Sequence, residues 1–212
     1  MENRYELLTP DEIEAAKAAA PVAYVPLGAF EWRSWHLLTG LDGVKAHEPC
    51  LHVADEAGGV VLLPVYFGIG GEHEEYETSL MVLEVEIRRL VERTYRRLAT
   101  LNCEVIVSIT GHYAGEQVEM INEVATDIKS KTDATVVALP EHEAYPDERQ
   151  SDHAGKWETS ILWALRPELV ELERFDDHPE DRHQGVYATD PEEASKELGE
   201  GTVSLWTVPA VV

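Results

Sequence analysis

The sequence predicts an α/β fold with a mostly parallel central sheet and helices on both faces. Apolar runs of strand length alternate along the chain with longer segments of helical periodicity. The run at residues 104–109 is rich in β-branched side chains, as in strands that are buried on both faces of a sheet. Strands that alternate with helices form right-handed βαβ units, which produce a parallel sheet. Because no repeat or low-complexity linker divides the chain, we expect a single domain over residues 1–212.

The first half of the chain contains the signals for two strands and three helices. Thr9-Pro10 before an Ala-rich run is typical of a capped helix start, and Pro21 should follow the end of this helix. The glycine pair at residues 58–59 is typical of a helix end. After the first helix, the expected elements are strand 22–27, helix 46–57, strand 60–67 and helix 82–100.

The second half continues the alternation. A polar loop at residues 110–115 separates the third strand from the next helix, and Pro167 should stop a later helix. The charged stretch 174–182 is expected to be a loop. The expected elements are strand 104–109, helix 116–131, strand 134–139, helix 158–166, a short helix at 191–198 and a last strand at 202–208.

The net charge of −24 restricts the classes of partner. It argues against binding to nucleic acid, which needs clustered Lys and Arg, and against binding to an anionic membrane surface. Most of the acidic side chains are expected to be solvated surface, although an acidic pocket for a cation would also contribute. No run approaches the roughly 18 apolar residues of a membrane span. The charged N-terminus resembles no signal peptide, so we expect a cytoplasmic protein with Cys50 and Cys103 as buried thiols.

Polar clusters follow the first three expected strands. They are residues 31–42, the pair Glu72-His73, and His112. Because ligands of such sheets collect at the carboxyl ends of the strands, these clusters are expected at one site. A fourth cluster, residues 152–160, flanks a helix start. Carboxylate and imidazole ligands suit Zn²⁺, Mn²⁺ or Fe²⁺.

Each cluster, taken separately, also has an ordinary structural interpretation. A loop with Glu, His and Asp is more often a hydrogen-bonded turn than a metal site. A histidine after a strand is about as often a core or capping residue. The loop at residues 70–73 is at least as typical of a flexible surface segment. Residues 152–160 fit helix capping as well as a proton shuttle with an orienting carboxylate.

The order and spacing of all four clusters resemble the creatininase family. That family has Glu-x-His-Gly-x-His-Leu-Pro-x-x-x-Asp after strand one, Gly-x-x-x-Glu-His after strand two and Asn-Gly-His after strand three. A later block reads His-Ala-Gly-x-x-Glu-Thr-Ser, which is the most specific of the four and is present here at residues 153–160. The resemblance runs from about residue 22 to residue 199. It implies a three-layer α/β/α sandwich, a two-metal site and hydrolysis of a C–N bond in a small, often cyclic amide.

The resemblance also assigns roles to individual residues. Glu31 and His112 match ligands of the first metal, and Asp42 matches the carboxylate that bridges both metals. His153 matches the histidine near the substrate, and Glu158 matches the carboxylate beside it. The remaining expected substrate contacts are Tyr113, Glu72, His73, His36 and Trp157; His36 is alternatively expected to support or replace a ligand.

Two departures from the family pattern affect the second metal. The histidine two residues after Glu31 is Arg33 here, and a glutamate that creatininase itself uses is Ala114. A guanidinium stays protonated and cannot donate a lone pair to a metal. We therefore predict one ion per subunit at most, held by Glu31, Asp42 and His112, with Arg33 where the second ion would be. Ser34 and Leu38 replace the usual Gly and Pro of the first block.

Charge balance supports a specific role for Arg33. It should form ion pairs with Asp42 or Glu158, because carboxylates left without the second ion would otherwise be buried at a cost. Arg33 is also expected to bind an anionic or carbonyl group of the substrate.

Three functions remain open from the sequence. The first is a mono-metal hydrolase of a small amide. The second is a family member that has lost hydrolysis and binds a ligand or supports an oligomer, and the third is a lyase or isomerase of a cyclic polyol or ketone. The expected partner is a small-molecule substrate. The resemblance further implies a homo-oligomer, a hexamer in many members of the family.

Overall fold

The computed structural model describes residues 2–144 and 152–206. Its sheet has four parallel strands in the order β2-β1-β3-β4. The strands are β1 (Val22–Leu27), β2 (Val60–Val61), β3 (Val105–Thr110) and β4 (Thr135–Pro140). The register aligns Leu27 with Thr110 and Thr110 with Pro140, so three strands end at the same edge of the sheet. The predicted α/β class with a parallel sheet is confirmed.

Seven α-helices surround this sheet in the described part of the chain. In α1 the backbone N–H of Thr9 donates to Glu12 Oε2 at 2.7 Å, which is the cap that the sequence indicated. The helices are α1 (Pro10–Ala19), α2 (Leu41–Ala57), α3 (Glu84–Thr100), α4 (Gly115–Lys131), α5 (Lys156–Leu165), α6 (Arg174–Asp177) and α7 (Lys196–Val203). None of the described helices is long and apolar enough to cross a membrane.

Alternate side chains of β1 pack into opposite layers. Ala23, Val25 and Leu27 lie in the larger apolar cluster with residues of α3 and α4. Tyr24 lies in a second cluster with residues of α2, among them Cys50. This alternation follows from the two-residue period of a strand and gives the three-layer arrangement. Both cysteines are buried free thiols, as expected.

The structure corrects two expected strands. The second strand is only two residues long, because Pro64 has no N–H to donate to a neighbouring strand. The last expected strand, residues 202–208, is absent over the described residues 202–206. Thr202 and Val203 belong to α7, with the Thr202 hydroxyl donating to Leu198 O at 2.9 Å, while residues 207–208 lie outside the described part of the chain. Close packing of α7 on α5 overrides the strand propensity of these β-branched residues.

Two further boundaries differ. Helix α2 begins at Leu41 rather than at residue 46, and the expected loop 174–182 contains the short helix α6. The earlier start of α2 places Asp42 in its first turn.

Candidate active site

The first turn of α2 lies against the ends of β1 and β3. A Cβ on Gly111 would be 2.1 Å from the carbonyl oxygen of Asp42, and one on Gly28 would be 2.3 Å from the nitrogen of Gly43. Only residues without a side chain permit this approach. The carboxylate of Asp42 is therefore held at the edge of the sheet, where the positive end of the helix dipole favours its charge.

Glu31, Asp42 and His112 converge at this edge. His112 Nδ1 lies 3.2 Å from Glu31 Oε2 and 3.3 Å from Asp42 Oδ2. His112 Nε2 lies 3.1 Å from the carbonyl oxygen of Ile69. A carbonyl only accepts, so Nε2 carries the proton of the neutral ring and the Nδ1 lone pair faces the two carboxylates. A backbone carbonyl orients metal-binding histidines in this way.

The three donor atoms fit a divalent ion. Ligands about 2.1 Å from a tetrahedral ion are about 3.4 Å apart, close to the separations from His112 Nδ1. Burial alone would lower the pKa of His112, but hydrogen bonds and charges from Asp42 and Glu31 raise it to about 10. The position between these groups therefore attracts positive charge, whether from a proton or from a metal ion.

Gln117 supports this arrangement from α4. Its Oε1 accepts from the backbone N–H of Ile69 at 3.1 Å, and its Nε2 donates to Thr110 Oγ1 at 2.9 Å. The Thr110 hydroxyl in turn donates to the carbonyl of His112 at 2.8 Å. One buried amide thus fixes both the carbonyl that orients the His112 ring and the backbone that carries it.

Arg33 lies on the other side of the same carboxylates and is 2% exposed. Its Nη2 is 2.8 Å from Glu31 Oε2 and also donates to Asp42 Oδ1. Its Nη1 is 3.2 Å from Glu158 Oε2 and also donates to His153 Nδ1. Burial opposes the charge, but the three carboxylates hold the pKa of Arg33 above its usual value. The terminal N–H groups are thus directed at protein acceptors, while Nε has no hydrogen-bond partner among the described residues. The substrate contact expected of Arg33 stays a prediction.

His153 and Glu158 do not form the direct pair that the sequence suggested, because Arg33 Nη1 lies between them. His153 Nε2 is 2.8 Å from the carbonyl oxygen of Trp32, and its Nδ1 accepts from Arg33, so both ring nitrogens are engaged. Burial and the charge of Arg33 lower the pKa of His153 to about 3, which keeps the ring neutral.

Glu158 is fully engaged. Its Oε2 accepts from the backbone N–H of Ala154 at 2.7 Å, and its Oε1 pairs with Lys45. Burial raises the pKa of Glu158, but Arg33 and Lys45 together outweigh burial and lower it. Glu158 therefore remains a carboxylate that receives hydrogen bonds from three groups.

Lys45 and Glu141 are both fully buried at this site and were not predicted from the sequence. Lys45 Nζ pairs with Glu158 and lies 3.0 Å from the Tyr113 hydroxyl, which donates to Glu141 Oε2. Burial raises the pKa of Glu141 to about 7. Two signals were available: Lys45 follows Asp42 at helical i+3 spacing, and Glu141 directly follows β4.

A cavity of about 540 Å³ opens above these residues. Seven of the predicted site residues line it: Glu31, Arg33, Glu72, His73, His112, Tyr113 and His153.

His36 and Trp157 are not among the described residues that line the cavity. His36 Nε2 lies 2.9 Å from Thr159 Oγ1, its ring packs on Phe175, and burial lowers its pKa to about 4. It is a neutral core histidine. The backbone N–H of Trp157 donates to Asp152 at 2.8 Å at the start of α5.

His73 lines the cavity and has one buried ring nitrogen without a partner in the described part of the chain. Its ring stacks on that of His153 with 3.8 Å between centroids, and its Nδ1 is 3.5 Å from Glu31 Oε1. The ring is 4% exposed, and its Nε2 has no hydrogen-bond partner among the described residues.

Two residues beside the site have left-handed backbone conformations. Ser34 has φ 59° directly after Arg33, and Ala154 has φ 51° directly after His153. This region is costly for residues that carry a side chain, so the surrounding contacts must hold both turns.

Comparisons with known proteins identify the family to which this sequence and fold belong. The family model described as creatininase, creatinine amidohydrolase, matches residues 6–208. Creatinine amidohydrolase of Pseudomonas putida is 29% identical over 197 residues, covering 81% of this chain and 75% of that protein. A crystal structure of creatinine amidohydrolase superposes with a TM-score of 0.82 at 25% identity, over 96% of this chain and 93% of that chain.

A second solved structure, described as creatininase with Mn, has the same fold. Its TM-score is 0.79 at 24% identity, over 97% of this chain and 95% of that chain. The match of the family model along most of the sequence shows that this chain belongs to the creatininase family.

Proposed function

We propose that this chain is a metal-dependent amidohydrolase that cleaves a C–N bond in a small, often cyclic amide. Glu31, Asp42 and His112 hold one divalent ion per subunit, Zn²⁺, Mn²⁺ or Fe²⁺. The observation that carries the proposal is the 3.2 and 3.3 Å approach of His112 Nδ1 to two buried carboxylates. Two comparisons support the proposal. The relative from Pseudomonas putida is named creatinine amidohydrolase, and the description of a similar structure names Mn.

A divalent ion at this position supplies Lewis acidity toward an amide carbonyl and toward water. The chain itself supplies charge balance and position. Arg33 replaces the second ion by neutralising Asp42 and Glu158, which would otherwise be buried without enough positive charge. The ring of Tyr113 forms part of the cavity wall, and its hydroxyl is anchored inside by Lys45 and Glu141.

Proton transfer to the leaving nitrogen is assigned to His153, which lines the cavity as a neutral ring. Its Nδ1 can accept a proton only after it exchanges its hydrogen bond from Arg33 for one from the substrate. His73 stacks on the face of the His153 ring and so helps to hold that ring in place. Glu158 acts indirectly by holding Arg33 in place.

A second candidate function is ligand binding without hydrolysis. The engagement of both His153 nitrogens favours it, since a shuttle with no free nitrogen cannot move a proton. In this case the cavity would bind a small amide and release it unchanged.

Metal content and turnover of the purified protein test the proposal. We expect one ion per chain after purification without chelator, and Mn²⁺- or Zn²⁺-dependent hydrolysis within a panel of creatinine, lactams and formamides. One bound ion without turnover of any amide would support the ligand-binding function, and turnover of cyclic ketones alone would indicate a lyase or isomerase. Protein that binds no divalent ion would refute the metal site.

Arg33→His tests the assignment of the second-ion position. We expect this variant to gain weak binding of a second ion, because an imidazole can donate the lone pair that a guanidinium lacks. Unchanged stoichiometry at millimolar Mn²⁺, both in this variant and in one that also neutralises Lys45, would show that Arg33 does not occupy that position.

We further propose that residues 1–212 form one domain and that the chain self-associates, as a hexamer. Exposed apolar side chains near one edge of the sheet support self-association. Phe67 packs edge-on against Phe30, whose carbonyl accepts from the backbone N–H of Leu80 at 2.8 Å. Phe67, Leu80 and Leu83 are 48%, 54% and 68% exposed. Light scattering of the purified protein measures the number of subunits.

A further inference from the structure

Lys45 is a fully buried cation that the single-ion mechanism does not require. It comes from α2, one helical turn after Asp42. Its Nζ pairs with Glu158 Oε1, while Arg33 pairs with the other oxygen of the same carboxylate. Lys45 also lies over the Tyr113 ring, 4.1 Å from the centroid. Lysine is almost never fully buried unless it is paired, so this position has a specific electrostatic partner in Glu158.

The charges around the site show what Lys45 contributes. The count takes the His112 ring as neutral, as a metal ligand is, and Glu141 as protonated. Three buried carboxylates, Glu31, Asp42 and Glu158, then face two buried cations, Arg33 and Lys45, which leaves one negative charge. One divalent ion with a neutral histidine ligand changes this to one positive charge. A second ion would raise it to three positive charges in a region with little water to screen them.

Replacement of Arg33 alone would not restore the balance. With a neutral imidazole at that position, two ions would still leave two positive charges, because Lys45 remains. If Lys45 were neutral as well, two ions would leave one positive charge. That is the balance the natural chain reaches with a single ion.

We propose that Arg33 and Lys45 act together as a two-part substitute for the second metal ion, with Glu158 as their shared counter-ion. Lys45 is a positioning residue: it holds Glu158 on the side away from Arg33 and repels a second cation. The inference rests on the proposed single-ion site and extends it, since it assigns the exclusion of a second ion to two residues rather than one.

Counting ions in a set of four proteins tests this inference. The natural chain, Arg33→His, Arg33→His/Lys45→Gln and Arg33→His/Lys45→Arg are dialysed against increasing Mn²⁺, and bound metal and Mn²⁺-dependent melting temperature are measured. Gln is neutral and can still donate to Glu158 and to Tyr113, whereas Arg keeps the positive charge and serves as the matched control. Lys45→Met in the same background replaces the Gln variant if that variant does not fold.

We expect one ion in the natural chain and a weakly bound second ion in Arg33→His. Neutralising Lys45 should strengthen binding of that second ion roughly tenfold or more, with a larger Mn²⁺-dependent rise in melting temperature. The Lys45→Arg control should behave like Arg33→His alone.

Equal second-ion affinity in Arg33→His with and without Lys45→Gln would overturn the role of Lys45. So would a gain of equal size in the charge-preserving control. Binding of no ion by the natural chain would instead refute the proposed function, so the two failures are distinct.

Discussion

Removal of the Arg33 guanidinium should destabilise the protein more than any single surface change. Arg33→Met keeps a long side chain but deprives Asp42, Glu31 and Glu158 of a cation that is 2% exposed. Breaking a buried ion pair by removing one partner costs about 3–5 kcal/mol. For a chain of this size, each kcal/mol lowers the melting temperature by about 2–4 °C. Urea and thermal unfolding in the presence of a chelator therefore should show a loss of roughly 6–20 °C.

Arg174→Met provides the control. Arg174 pairs with Glu171, but the two side chains are 56% and 43% exposed, so its loss should cost less than about 1 kcal/mol. Added Mn²⁺ should return part of the stability to Arg33→Met, since a cation can then neutralise the buried carboxylates that have lost their partner. If Arg33→Met unfolds within 1 kcal/mol of the natural chain in chelator, the guanidinium is not what balances these carboxylates.

Two more expectations concern pH and backbone packing. Because the pKa of Glu141 is raised to about 7, above its ordinary 4.5, its protonated form contributes stability below pH 4.5, and this contribution is lost as the pH rises through 7. The free energy of unfolding of Glu141→Gln should thus exceed that of the natural chain by roughly 3 kcal/mol at pH 8 but not at pH 4. Urea titrations at the two pH values measure this difference. An equal effect at both pH values would contradict the burial of an ionisable carboxyl. Gly111→Ala should lower both stability and metal affinity, because its Cβ would be 2.1 Å from Asp42 O, whereas Gly115→Ala meets nothing within 4 Å and should retain both. Calorimetric metal titration separates the two, and similar losses in both variants would contradict the packing explanation.

The fold was predictable wherever local signals and tertiary contacts agree. Strand β1 lies between Pro21 and Gly28, which interrupt regular structure, and its bounds match the prediction. The last expected strand was wrong because its β-branched residues are also compatible with a helix once α5 supplies a surface for packing. Local propensity carries no information about that surface.

The site was predictable in part for a similar reason. Residues that follow parallel strands meet at one edge, so the convergence of Glu31 and His112 follows from the order of elements. Whether a polar side chain in such a loop turns toward the cavity does not follow, and His36 instead packs among core residues. Lys45 was not predicted because lysine on a helix is ordinarily solvated. Only the tertiary structure shows that its amine pairs with Glu158.

The turn at Ser34 has a consequence for recognising distant relatives of this chain. The backbone there keeps φ 59°, a conformation that glycine adopts freely, although the residue is serine where the related block has glycine. A serine can therefore occupy a turn that would favour glycine. A pattern search that requires glycine after the third residue of this block would miss this chain and others with the same turn, while one that tolerates small polar residues would retrieve them.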